Sequence, residues 1–133
     1  MEKSSWKVLL VDDEQAFITT LAERLDLRGI AARVAHDGLQ ALEEVEKAIP
    51  DVMVLDVIMP GMKGLEVLRR VKDKHPAVQV ILLTGQGSTR DGIEGMRLGA
   101  FDYMIKPLDI DVLIEKLEEA VRAGRELRGA DNG

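Results

Sequence analysis

Val80, Ile81, Leu82 and Leu83 are apolar without a break, so a strand built from them leaves no face for water. Such a short run is a poor helix and reads as a strand buried on both sides. A sheet of such strands needs a layer of helices on each face. Runs of the same kind recur along the chain. Val8, Leu9, Leu10 and Val11 make the first, residues 32–35 a weaker second, Val52 to Leu55 the third, and Tyr103, Met104 and Ile105 the fifth. Between them the apolar period becomes helical. Phe17, Ile18, Leu21 and Leu25 mark one helix, Leu42, Val45 and Ile49 the next, and Leu65, Leu68 and Val71 a third. Ile93 and Met96 mark a fourth, and Ile110, Leu113, Ile114, Leu117 and Val121 a strong fifth. Gly29, Pro50, Pro76 and Gly99 supply stop signals. Asp37 with Gln40 three residues on has the capping-box pattern, while Asp13 and Ser88 or Thr89 are candidate caps.

Strand and helix alternating in this way imply right-handed crossovers and a mostly parallel α/β sheet covered on both sides. A length of 133 residues with 46% hydrophobic content suits one domain with a real core. The reading places that domain at residues 1–127 and a flexible tail at 128–133, where the sequence turns small and polar.

Composition removes several function classes. There is no Cys, which excludes thiolate metal sites and cysteine nucleophiles and fits a reducing compartment. The formal net charge of -6 argues against direct nucleic-acid binding. No apolar run reaches the roughly 18 residues that cross a bilayer, and the N-terminus has no signal-peptide core. No membrane association and a cytoplasmic location are the default expectations.

In a parallel sheet, ligands gather at the carboxyl ends of the strands. Here those ends carry Asp12 and Asp13, Asp56, Thr84, and Lys106 before Pro107. One carboxylate after a strand is often a helix cap, but a cap needs one, and Asp12 and Asp13 are two. Several carboxylates brought close repel one another, and burial adds to the cost. A hard divalent cation with oxygen ligands offsets them, and Mg2+ is the natural choice. With Lys106 as a fixed positive charge and the Thr84 hydroxyl as a neutral donor, the set suits phosphoryl transfer. His36 and His75 read as surface residues, so the covalent acceptor is a carboxylate. Asp56 is the best candidate, at the end of an expected central strand and before a loop able to wrap a ligand.

These residues resemble a known family. Val11-Asp12-Asp13-Glu14, the stretch from Leu55 and Asp56 through Met59-Pro60-Gly61 to Gly64, Leu83-Thr84-Gly85, and the stretch from Gly99 through Tyr103 to Lys106-Pro107 look like the receiver domain of response regulators, the CheY-like family. The resemblance covers about residues 6–125. It implies a flavodoxin-like (βα)5 fold with strand order 2-1-3-4-5. It implies that Asp56 accepts phosphoryl from a sensor histidine kinase or phosphotransfer protein. Asp13, Asp56 and the backbone carbonyl of Ile58 would ligate Mg2+, with Asp12 acting through water. Thr84 and Lys106 would bind phosphoryl oxygens, and Tyr103 would turn inward with Thr84 as the switch. Ile58 and Gln86 occupy the two positions that tune self-dephosphorylation, and the Lys106-Pro107 bond is expected to be cis. Such a chain is not an enzyme toward other substrates; it catalyses only its own phosphorylation and dephosphorylation.

The expected output surface is the fourth helix, fifth strand and fifth helix, facing a downstream effector or output domain or a phosphorylation-linked homodimer. Gly92 and Gly95 are expected to soften the fourth helix as the moving element, each costing about 0.8–1 kcal/mol relative to Ala; the alternative is that they permit close packing. Rival readings fit less well. A haloacid-dehalogenase-type phosphatase wants a second Asp where Ile58 stands, and an FMN binder wants a phosphate loop where Asp12, Asp13 and Glu14 stand. A degenerate, contact-only receiver would not need the full residue set.

Overall fold

The computed structural model describes residues 2–85 and 89–132. After one 3-10 turn (Lys3–Ser5) the chain runs β1 (Val8–Val11), α1 (Gln15–Asp26), β2 (Ala32–Ala35), α2 (Gly38–Lys47) and β3 (Val52–Asp56). It continues through α3 (Gly64–Lys74), β4 (Gln79–Thr84), α4 (Thr89–Arg97), β5 (Asp102–Ile105) and α5 (Ile110–Asn132). All strand pairs are parallel, as the sequence pattern implies, and the order is β2-β1-β3-β4-β5, as the resemblance implies.

Strand parity divides the core in two. Val8, Leu10, Val52, Val54, Ile81 and Leu83 face α1 and α5, packing on Ile18, Leu25, Leu113 and Leu117. Leu9, Val11, Met53, Leu55, Val80 and Leu82 face the other helices, packing on Val45, Val67, Leu68 and Val71. Every residue of β4 is buried, which is why its sequence shows no alternation. Asp37 caps α2 as expected, accepting the Gln40 N–H at 2.8 Å. The Gln40 side chain reaches back to the N–H of His36 at 2.7 Å, one residue earlier than a standard capping box. Asp13 is not the cap of α1; Glu14 holds that position and makes no side-chain cap bond. Ser88 lies outside the described residues.

The last helix departs from the sequence reading. Rather than fraying after Leu127, α5 continues through Asn132, into the segment expected to be a tail. Gly124 lets the helix pass close to the turn before β4, since a Cβ there would sit 2.8 Å from the Ala77 carbonyl oxygen. The next turns then lie over Asp51, which is 1% exposed at the entry to β3. Arg125 Nη2 donates to Asp51 Oδ2 at 3.0 Å, Arg128 Nη1 to Oδ1 at 2.8 Å, and the Lys7 N–H to Oδ2 at 2.9 Å. Burial alone would push the Asp51 carboxyl up; Arg125, the Lys7 N–H and Arg128 more than offset it and hold it below the usual range.

A depressed acid stabilises the fold above its unfolded-state value, and that contribution is lost as pH falls through the folded value. Asp51→Asn is therefore expected to cost about 2 kcal/mol at pH 7. Urea denaturation should show the difference from wild type shrinking below a pH of about 4, where Asp51 becomes protonated in the unfolded chain. An equal difference at pH 7 and at low pH would remove the charge from this account.

Candidate functional site

The register brings the carboxyl ends of the central strands level. Val11 pairs with Leu55, and Asp56 with Leu83, so the residues that follow Val11 and end β3 emerge side by side. Asp12, Asp13 and Asp56 each place a carboxylate oxygen within 4.8 Å of the others. Asp12 is fully buried, Asp56 is 5% exposed, and Asp13 is open to solvent. Lys106, on the segment after β5, reaches across the cluster. Its Nζ lies 2.7 Å from Asp12 Oδ2, 3.2 Å from Glu14 Oε1 and 3.8 Å from Asp56 Oδ2. Asp13, Glu14, Asp56, Ile58, Gly85 and Lys106 line one open cleft. The sequence prediction of a convergent acidic site is thus met in geometry.

The electrostatics are lopsided. Burial, then repulsion by Asp12, pushes the Asp56 carboxyl up to about 7; Lys106 and the Ile58 N–H, 3.3 Å from Asp56 Oδ1, pull the other way without winning. Burial disfavours the Lys106 ammonium, but Asp12 first, then Asp56 and Glu14, raise it overall. One ammonium does not neutralise this many carboxylates. The donors are all hard oxygens with an open side at Asp13, so the group that fits is a hard divalent cation.

The remaining predicted site residues are placed less directly. Thr84 is 1% exposed, and its hydroxyl donates to the Met104 carbonyl at 3.4 Å, not toward Asp56. Thr84 continues the Val80 and Leu82 face, which also carries Tyr103, and the carbonyl of Met104 on the neighbouring strand takes its hydroxyl. Tyr103 is half-buried beside α4. A Cβ at Gly92 would lie 3.0–3.2 Å from its ring atoms, and one at Gly95 would lie 2.0 Å from Leu82 Cδ1. Both glycines are therefore close-packing positions, and replacing them with Ala would not simply stiffen α4. Ile58 is 63% exposed at the cleft mouth. Gln86 lies outside the described residues. The Lys106-Pro107 bond is cis. His75 is less of a surface residue than expected, with its Nε2 2.9 Å from Glu46 Oε1 and its side chain 16% exposed. His36 is half-buried, with no partner for its Nδ1.

Sequence reasoning assigned no role to three residues that shape the site. Gly64 opens α3 directly against the end of β3, where a Cβ would lie 2.3 Å from the Asp56 carbonyl oxygen and 2.7 Å from Val57 Cα. Its N–H donates to the Val57 carbonyl at 3.0 Å, fixing the loop that follows Asp56. Glu14 contacts Lys106, and the Phe17 ring lies beneath the same ammonium, 4.5 Å from Nζ. The Asp-Asp-Glu order was the available signal for Glu14; Gly64 stood only as the end of a family motif and Phe17 only as part of an apolar helix stripe.

Comparison with known proteins agrees with this geometry. The family model for the response regulator receiver domain matches residues 8–118. The transcriptional regulatory protein TrcR of Mycobacterium tuberculosis is 40% identical over 94% of this chain and 49% of its own length. An uncharacterized transcriptional regulatory protein, YkoG of Bacillus subtilis, is 35% identical over 92% of this chain and 53% of its own. The chain thus spans about half the length of these relatives. Among solved structures, the receiver domain of NtrX from Brucella abortus superposes with a TM-score of 0.83 at 31% identity, covering 87% of this chain and 98% of that one. A response regulator receiver domain protein from Clostridium thermocellum gives a TM-score of 0.87 at 29% identity, over 92% and 98% of the two chains. With its five-stranded parallel sheet, its acidic strand-end cluster and a family match over most of its length, the chain belongs to the response regulator receiver domains of two-component signalling.

Proposed function

We propose that Asp56 accepts a phosphoryl group from the phosphohistidine of a sensor histidine kinase or phosphotransfer protein, and that this switches the surface of α4, β5 and α5. The observation that carries the reading is a buried carboxylate, Asp56, facing Asp12, Asp13 and Lys106 in a cleft open to solvent. An Asp56 carboxylate oxygen forms a bond to phosphorus as the phosphorus–nitrogen bond breaks, and the imidazole leaves with its electron pair. Asp12, Asp13, Asp56 and the Ile58 backbone carbonyl would hold Mg2+, which when bound screens the carboxylates and the phosphoryl charge. Lys106 is the cation at hand for the phosphoryl oxygens. Thr84 has only a long bond to give up before turning toward them.

Movement of Thr84 would free space on the side of the sheet where Tyr103 packs, and Tyr103 would follow it inward. Ile58 at the cleft mouth, with Gln86, would tune water attack on the phosphoryl group. The chain would turn over no substrate but its own phosphate. The surface that changes exposes Ile93, Met96, Ile105 and Val112, apolar side chains suited to an output domain or a second copy of the chain. Several of its charges already pair within the chain, Arg97 with Glu94 at 3.1 Å and Lys116 with Asp102. A largely apolar groove of Phe17, Leu21, Pro107 and Leu108, with Thr20 and Arg24 also lining it, lies beside Lys106 and suits the partner that delivers phosphoryl. A cytoplasmic location is part of this proposal; no described helix is long and apolar enough to cross a membrane.

Incubation with Mg2+ and acetyl phosphate, followed by intact mass measurement, tests this. Wild type should gain one phosphoryl mass, and chelation of the metal or Asp56→Asn should prevent it. A wild type that stays unmodified, or a variant labelled equally, would overturn the assignment.

A further inference from the structure

From the contacts around Lys106 we infer that Glu14 and the ring of Phe17 park this lysine away from Asp56, and that Glu14 thereby limits how fast Asp56 is phosphorylated. The effect on rate presupposes Asp56 as the acceptor, as proposed above; the hold on Lys106 does not. Of the three carboxylates around the Lys106 Nζ, Asp56 is the furthest, at 3.8 Å against 2.7 Å for Asp12 and 3.2 Å for Glu14. The nearer partners all come from residues 12–17, the loop after β1 and the start of α1, with the Phe17 ring centroid 4.5 Å below the ammonium. The lysine is thus drawn to one wall of the cleft.

Glu14 has a second peculiarity. It occupies the N-cap position of α1 with extended backbone, φ -79° and ψ 90°, yet its side chain caps nothing. Glu is not among the residues favoured at that position, where Ser, Thr, Asp or Asn serves the helix better. The Glu14 carboxylate is instead aimed across the cleft at Lys106. The two carboxylates that hold the lysine differ in freedom. Asp12 is buried, and its other oxygen accepts the Glu14 N–H at 2.9 Å, so it is fixed on both sides. The Glu14 side chain is 66% exposed, whereas that of Lys106 is 19% exposed. Glu14 therefore closes over the lysine from the solvent side and can swing away.

For Nζ to meet the oxygens of a phosphoryl group on Asp56, it must leave part of this hold. Asp12 cannot follow it, and Glu14 competes with the incoming phosphoryl for the same charge. Glu14 is a positioning residue: it touches neither the acceptor carboxylate nor the group transferred, and acts through Lys106.

A double-mutant cycle separates this from other effects of a lost charge. Labelling rates with Mg2+ and acetyl phosphate are measured by intact mass for wild type, Glu14→Gln, Lys106→Met and the double variant. Glu14→Gln keeps the shape and removes the charge. It should label about threefold faster than wild type, the size expected for freeing a partly exposed ion pair. In the Lys106→Met background the same change should have no effect. As a readout independent of phosphorylation, trace acetylation of the metal-free protein should modify Lys106 about threefold faster in Glu14→Gln, relative to the exposed Lys63. Equal labelling by wild type and Glu14→Gln, equal acceleration in both backgrounds, or unchanged Lys106 acetylation would each overturn the parking role. A wild type that does not label at all would instead sink the acceptor assignment, and the acetylation result would still decide what Glu14 holds.

Discussion

At pH 8 and without added metal, Asp56→Asn will unfold at a higher urea concentration than wild type, by roughly 2–4 kcal/mol in free energy. The reason is the cost of keeping Asp56 ionised where it is. Its carboxyl sits at about 7 in the folded protein because it is buried and faces Asp12. In the unfolded chain it titrates near 4. For an acid raised on folding, the sign is opposite to that of Asp51. The fold is least penalised below the unfolded value, where the group is neutral in both states. It loses stability as pH rises from about 4 to about 7, and the penalty stays constant above that. The difference between the two proteins should therefore narrow steadily as pH is lowered toward 4. Mg2+ closes it from the other side, since a ligand that binds only the folded wild type raises its stability by mass action. The variant, lacking one of the proposed ligands, should respond less. Equal stabilities at pH 8, or a difference indifferent to Mg2+, would count against a strained acceptor that a cation relieves.

The second large effect is on Gly64. Gly64→Ala should destabilise the protein by about 3 kcal/mol and slow the labelling of Asp56, whereas Gly95→Ala should cost about 1 kcal/mol. This ranking reverses the raw distances. An added Cβ comes within 2.0 Å of an atom at position 95 and within 2.3 Å at position 64. The atom met at Gly95 is the tip of Leu82, which can change rotamer, and Ala also returns most of a kcal/mol, about 0.8–1, in helix propensity. At Gly64 the atoms met are the carbonyl oxygen of Asp56 and the Cα of Val57, backbone that cannot move without displacing the acceptor. Urea denaturation of both variants, with labelling of Asp56 in each, checks the order. If Gly95→Ala proved the more damaging, or Gly64→Ala labelled normally, backbone contact would not be what holds Asp56 in place.

The features legible in the sequence were those carried by local pattern. The unbroken apolar run in β4 announced a strand with no wet face, and the repeated change of period announced the crossovers. Because parallel strands end level, the acidic residues after β1 and at the end of β3 and the lysine after β5 were bound to meet. What escaped the sequence depends on what lies opposite. Gly92 and Gly95 look like helix weaknesses until Tyr103 and Leu82 are seen against them. The end of α5 looks loose until Arg125 and Arg128 find Asp51, 74 and 77 residues earlier in the chain. The direction of the Thr84 hydroxyl follows from a carbonyl on the neighbouring strand. Glu14 was visible as the third member of an acidic triplet, but its target was not.

β3 joins two of these places. Asp51 stands immediately before its first residue and Asp56 is its last. One carboxylate anchors the closing helix, and the other is the proposed acceptor. The span between them is set by covalent geometry, about 3.3 Å per residue, and not by the choice of core side chains. Sequence drift can therefore exchange one apolar residue for another in β3 and leave the gauge intact. A single insertion or deletion there would put both ends out of place at once. Over evolutionary time, β3 should vary in composition and not in length.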